Sequence, residues 1–234
     1  MSMTIRQPPL INAPLPVAVF GVLLVALHLV RILLPDSWQN VVIFDGALIP
    51  DRFWAPASSP GASGLPGYDG RFAAFLPLIA SGFLHSDWMH VIFNAAFLVA
   101  LAKPLLEMFR RIWPAQEPGA SALLLGLFLF SQIISGLVYL GLNYPGGGPA
   151  IGASGGISGL LAAILLIREG PERWLLGRGF LIASALFVIA NALFAFIGPS
   201  LLGASIAWEA HVGGYLGGAL AMRLILMRCD AGPA

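Results

Sequence analysis

The chain has 234 residues, 58% of them hydrophobic and 10% charged, and a formal net charge of +1; its mean hydropathy is +0.87. That balance excludes an ordinary soluble domain, and a charge so close to zero gives no basic surface for a nucleic-acid partner. The single cysteine, Cys229, can close no internal disulfide and has no second thiol with which to share a metal.

The first apolar run, at about 14 to 34, ends in Arg31 and has no small-residue cleavage pattern close behind it. It reads as a true span and not as a removed signal segment. The segment from 35 to 87 leaves no room for a separate soluble domain, because it must also supply an apolar stretch from Phe72 to Leu84. At about 13 residues that stretch is too short to cross a bilayer, so a lid or re-entrant element partly embedded in the outer interface is expected. Pro60 to Gly70 then forms an irregular, glycine-rich connector. Five further runs follow, at about 88 to 106, 120 to 141, 154 to 167, 175 to 197 and 205 to 227. The expected fold is all-α, a polytopic bundle of six transmembrane helices forming a single domain over residues 1–234 in a lipid bilayer.

Basic residues orient the bundle. Lys103, Arg110 and Arg111 follow the second run, Arg168, Arg173 and Arg178 follow the fourth, and Arg223 and Arg228 close the sixth, while the loops 142–152 and 198–208 have neither Lys nor Arg. With Arg6 ahead of the first run, the positive-inside rule puts both termini in the cytoplasm. Arg52 and Arg71 stand on the other side, but their long loop also carries Asp36, Asp45, Asp51 and Asp69.

Charges at the inner helix ends also set depths. From Ser154 to Arg168 the fourth helix rises roughly 21 Å, short of the roughly 30 Å hydrocarbon core, so Ser154 lies below the outer surface. The preceding Asn143-Tyr144-Pro145-Gly146-Gly147-Gly148-Pro149-Ala150 segment must follow it down. Irregular backbone at that depth requires surrounding protein or a wet pocket open to the outside. His211 lies roughly 18 Å from Arg223, and His90 roughly 20 Å from Lys103. Ser154, His211 and His90 are thus predicted in one layer, with Asn94 one turn below His90 on the same face.

That layer permits acyl transfer. A serine hydroxyl becomes a nucleophile beside a neutral imidazole, and His211 is the candidate base for Ser154. His90, Asn94 and the Ser154 backbone N–H are donors that can stabilise an oxyanion. Glu209 is two residues before His211, about 200° around the helix, so the side chains point apart and a Ser/His dyad without a carboxylate is predicted. Gly155 with Gly159, and Gly213, Gly214, Gly217 and Gly218, form small-x-x-x-small pairs that let the fourth and sixth helices approach closely.

The set His85-x4-His90-x3-Asn94, Gly152-Ala153-Ser154-Gly155 and Ala210-His211-x2-Gly214-x3-Gly218, in this order, resembles the rhomboid intramembrane serine proteases over about 80 to 220. The resemblance implies a six-helix core in which Ser154 attacks a peptide bond, His211 acts as base and then acid, and His90, Asn94 and the Ser154 amide bind the oxyanion. It implies single-pass or polytopic membrane proteins as substrates, cut where their helices unwind near the outer boundary. Where many members carry a Trp-Arg pair in the first loop this chain has Leu76-Pro77, and where some carry an aromatic one turn after the serine it has Ser158.

The remaining polar residues have plainer readings. His28 packs against another helix or lies at the interface; Asn191, Gln132 and Ser135 are interhelical polar contacts. His85 is either a structural hydrogen-bonding group of the outer loop or an influence on catalysis, and Glu209 has no assigned role. No cofactor and no metal are expected, since His90 is followed by Val91 and no His-Glu-x-x-His motif exists. The alternatives are a catalytically inactive rhomboid-like binding protein and, further off, a small transporter. The minimal form points to a bacterial inner (plasma) membrane.

Overall fold

An apolar run becomes a helix in lipid because only a helix or closed barrel pairs every backbone N–H and C=O without water. In the computed structural model, which describes residues 13–55, 60–61, 64–112, 117–169, 175–202 and 206–230, α1 spans Leu15–Leu33. The first loop then forms α2 (Asp36–Gly46), α3 (Pro50–Trp54), α4 (Arg71–Phe75), α5 (Pro77–Ala80) and a 3₁₀ turn at Ser81–Phe83. α6 (Trp88–Ile112), α7 (Glu117–Leu142), α8 (Ser154–Arg168), α9 (Arg178–Leu202) and α10 (Trp208–Asp230) complete the bundle. α1, α6, α7, α9 and α10 are long and apolar enough to span a membrane, and α8 is a shorter apolar helix in their midst. The chain is an all-α polytopic membrane protein; among the described residues the only extended pairings are isolated bridges such as Leu48 with Ala150. Arg6, Arg173 and the Cys229 side chain lie outside the described residues.

Two features differ from the expected outline. The helices outrun the hydropathy: α6 continues past Lys103 and Pro104 to Ile112. Hydropathy marks where lipid is, whereas hydrogen bonding sets where the helix stops, and a helix can continue into water. The first loop is also more ordered than a connector, with α2 and α3 ahead of the short apolar element. Arg52 is the reason. Its guanidinium is buried between the Phe44 and Tyr68 rings, 3.6 and 4.1 Å from their centroids. It donates to the carbonyls of Phe44 and of Pro66 (3.0 Å) and pairs with Asp45 at 3.5 Å. A cation stacked on two rings and bonded to backbone ties the loop together where the sequence lacks a Trp-Arg pair. The Phe72–Phe83 stretch is helical and two-faced: Phe72, Phe75 and Leu76 are exposed, while Leu78, Ser81 and Gly82 are buried.

α8 is the centre of the bundle, packed by α7 and α10 and flanked by α6 and α9. Gly155, Gly156, Ile157, Ser158, Gly159 and Leu160 are all buried. Glycine makes this possible. A Cβ on Gly214 would collide with the Gly155 carbonyl, and one on Gly218 with the Gly159 carbonyl, so α10 lies backbone to backbone on α8. On its α7 side Gly159 makes room for the Ser131 side chain, which a Cβ there would meet.

Gly218→Ala is therefore expected to destabilise the protein by about 1–3 kcal/mol through forced separation of α8 and α10. Gly126, on α7, has open space where its Cβ would go, and Gly126→Ala should be neutral or stabilising by up to ~1 kcal/mol. Thermal melting in detergent compares the pair directly; equal losses would contradict the packing account.

Candidate active site

Ser154 is the first residue of α8, and the irregular backbone ahead of it is tied to the protein at Gly148, Ala150 and Gly152. Tyr139 Oη donates to the Gly148 carbonyl (2.8 Å), and Leu48 and Ala150 exchange N–H···O bonds of 3.0 and 2.9 Å. The Gly152 N–H donates to the Ser81 carbonyl at 2.8 Å. Gln132 of α7 accepts from the Gly156 N–H (2.9 Å) and reaches the Gly152 carbonyl (3.4 Å). Buried backbone groups are satisfied by protein, which is what descent below the membrane surface demands. Gly152 has φ 125°, a conformation other residues rarely adopt. A Cβ there would also lie 2.7 Å from His90 Nε2 and 3.7 Å from Ser154 Oγ, so the missing side chain leaves the room that the His90 ring occupies.

Three serines in these helices bond the carbonyl one turn back: Ser131 to Leu127, Ser158 to Ser154 and Ser184 to Phe180, at 2.7, 2.8 and 2.7 Å. Ser154 cannot, because no helical turn precedes it. Its Oγ instead lies 2.8 Å from His211 Nε2, across the α8–α10 contact. The other imidazole nitrogen, Nδ1, is 2.7 Å from Asn191 Oδ1 on α9. Both ring nitrogens of His211 are thus engaged.

His90 is positioned from the turn that precedes α6. Asp87 accepts the His90 backbone N–H (2.9 Å), an N-terminal cap of α6, and accepts the Ser86 hydroxyl at 2.6 Å. Those bonds, Ser86 first, hold the Asp87 carboxyl below its usual range. Ser86 Oγ is also 3.1 Å from His90 Nδ1. With its proton directed to Asp87, Ser86 accepts there, so His90 carries its hydrogen at Nδ1. Arg31, from the last turn of α1, donates to the His85 and Ser86 carbonyls at 2.9 and 3.4 Å. Asn94 is buried, and its amide donates back to the His90 carbonyl (2.8 Å), within α6 and not across to Ser154.

His85 is buried with its ring edge-on to His90, centroids 5.0 Å apart. Burial, and then its neighbour His90, pushes the imidazole down to about 3, so it is neutral near pH 7. His28 packs edge-on against Trp88 of α6 at 4.9 Å. Glu209 sits in the first turn of α10, where a carboxylate complements the helix dipole. Ser154, His90 and His211 are half-buried. A recess of about 150 Å³ beside the loop, lined by Asp51, Trp54 and Tyr144 among others, does not include them. The residues alone marked Asn191 and Gln132 as interhelical polar contacts without naming their partners, and did not single out the Ser86–Asp87 pair. An amide in an apolar span signals a polar partner, but its identity depends on which helix faces it.

A short, buried helix that opens on a serine facing a histidine of the neighbouring span, within an all-α membrane bundle, defines the class of the intramembrane rhomboid fold. The chain matches the Rhomboid domain over residues 73–228 and belongs to the rhomboid family, whose members are in general intramembrane serine proteases. No curated protein matches it.

Gly152→Ala is expected to destabilise the protein by about 1–3 kcal/mol from backbone strain alone, with the His90 contact adding to it; a melting midpoint equal to wild type would contradict this geometry. Asp87→Ala should lose about 1 kcal/mol of capping. Because the folded-state carboxyl is held below its unfolded value, that contribution is present above about pH 4 and disappears as pH falls further. The difference in stability between wild type and Asp87→Ala, followed from pH 7 to pH 3, should accordingly shrink.

Proposed function

We propose that this chain is an intramembrane serine endopeptidase that cleaves transmembrane segments of single-pass or polytopic membrane proteins. The observation that carries the reading is the 2.8 Å approach of Ser154 Oγ to His211 Nε2 at the loop end of α8. In this reading Ser154 Oγ attacks the scissile carbonyl carbon while His211 Nε2 takes its proton. The tetrahedral oxyanion accepts from the Ser154 backbone N–H, from the second N–H of Asn94, and from His90. His90 donates through Nε2 after that nitrogen takes up a proton from water ahead of the attack, and the Asp87 carboxylate, linked through Ser86 to Nδ1, balances the resulting charge. His211 then returns its proton to the leaving amine and the carbon–nitrogen bond breaks; water attacks the acyl-serine with His211 again as base, the bond from the carbonyl carbon to Ser154 Oγ breaks, and His211 gives the proton back to Oγ.

The distribution of Lys and Arg supports both termini on the cytoplasmic side of a plasma membrane and Ser154 opening to the outer side. The whole chain then acts as a single domain, with the exposed face of Phe72–Phe83 resting in the outer interface.

With the protein reconstituted beside a single-span substrate, wild type should cleave it and react with a fluorophosphonate. Ser154→Ala and His211→Ala should each lower cleavage by at least about 10³-fold, and Ser154→Ala should abolish labelling. Continued cleavage by either variant refutes the mechanism. A wild type that neither cleaves nor labels returns the chain to the inactive binding class.

A further inference from the structure

Resting on the protease reading, we propose that Asn191 of α9 is a positioning residue that fixes the tautomer and orientation of His211. The argument starts from the amide. Asn191 Nδ2 donates to the Phe187 carbonyl at 2.9 Å, which identifies the nitrogen end of the side chain and leaves Oδ1 facing His211. Oδ1 can only accept, so at 2.7 Å His211 Nδ1 must carry a hydrogen. A neutral imidazole has one N–H. His211 Nε2 is therefore a lone pair, and at 2.8 Å the Ser154 hydroxyl must donate to it. Two hydrogen bonds on a neighbouring helix thus dictate the proton arrangement that a general base requires.

The other candidates for this task are engaged elsewhere. Ser158, one turn along α8, donates to the Ser154 carbonyl, and Glu209 is about 200° around α10 from His211. An amide also suits the place. Only 6% of the spanning part of α9 is buried in the bundle, and a carboxylate there would set a charge beside lipid. A neutral amide offers the acceptor without the charge, and its carbonyl dipole points at the imidazolium formed when Ser154 gives up its proton.

The full chain, reconstituted in lipid vesicles with a single-span substrate, tests this. Asn191→Ala should lower kcat and the rate of fluorophosphonate labelling about tenfold or more, with KM within about twofold. Asn191→Asp keeps an oxygen acceptor in place whether or not it is protonated, and should recover most of the rate. Nitrogen-15 NMR of the imidazole, assigned by comparison with His211→Ala, should report hydrogen at Nδ1 in wild type and mixed tautomers in Asn191→Ala. Unchanged kcat in Asn191→Ala beside Ser154-dependent labelling of wild type would overturn the proposal and leave the protease reading standing. An unchanged tautomer in Asn191→Ala overturns it whatever the activity. A tautomer that shifts in Asn191→Ala while wild type shows no Ser154-dependent labelling supports the positioning role and sinks the protease reading instead.

Discussion

Everything near Ser154 depends on how closely α10 can lie against α8. Gly214 over the Gly155 carbonyl and Gly218 over the Gly159 carbonyl leave no space for a single methyl group, and that absence brings two backbones into contact. Lipid gives no hydrophobic force between helices, since the tails are as apolar as leucine, so close packing and interhelical hydrogen bonds must hold the bundle. The same contact that provides the packing sets the Ser154–His211 distance. A bulkier seam would keep a membrane helix pair and separate the two side chains.

The second constraint is the accounting of backbone polar groups. α8 begins inside the bundle, and the chain must reach its first residue without a helix. The descent bonds come from the first loop, through Leu48 and through Ser81 of its 3₁₀ turn, and from α7, through Tyr139 and Gln132. The first loop is therefore a structural partner of the serine loop. Its own integrity rests on Arg52, stacked between two aromatic rings. Arg52 counted against the cytoplasmic assignment of the termini when read as a loop charge, yet it is buried and bonded within the loop.

Position at the helix start separates Ser154 from its neighbours. Ser131, Ser158 and Ser184 have a carbonyl one turn behind them and use it, whereas Ser154 has none and turns to His211. The Trp-Arg and aromatic substitutions have local answers in the same spirit. Arg52 ties the loop that lacks a Trp-Arg pair, and Ser158 simply closes a turn of α8, leaving Asn191 of α9 beside His211. The layer of Ser154 and His211, with His90 beside Gly152, was legible because rise per residue and the charged helix ends are linear quantities. Asn94 was legible as a face-mate of His90, but its bond back to the His90 carbonyl follows from its rotamer, which spacing leaves open.

Composition and the length of apolar runs determined by themselves that the chain is a polytopic helical membrane protein, because lipid admits few other ways of pairing a backbone. The spacing of His85, His90, Asn94, Ser154 and His211 carried the family resemblance. Only the tertiary structure decided which side chains meet. The order in the first loop, the Gln132 and Ser81 contacts beneath the serine loop, and the Asn191 carbonyl at His211 all join residues distant in sequence. The one-dimensional pattern gives a helix its depth and its faces; its rotation and its neighbour are chosen by packing, and packing chose α9 to face the histidine.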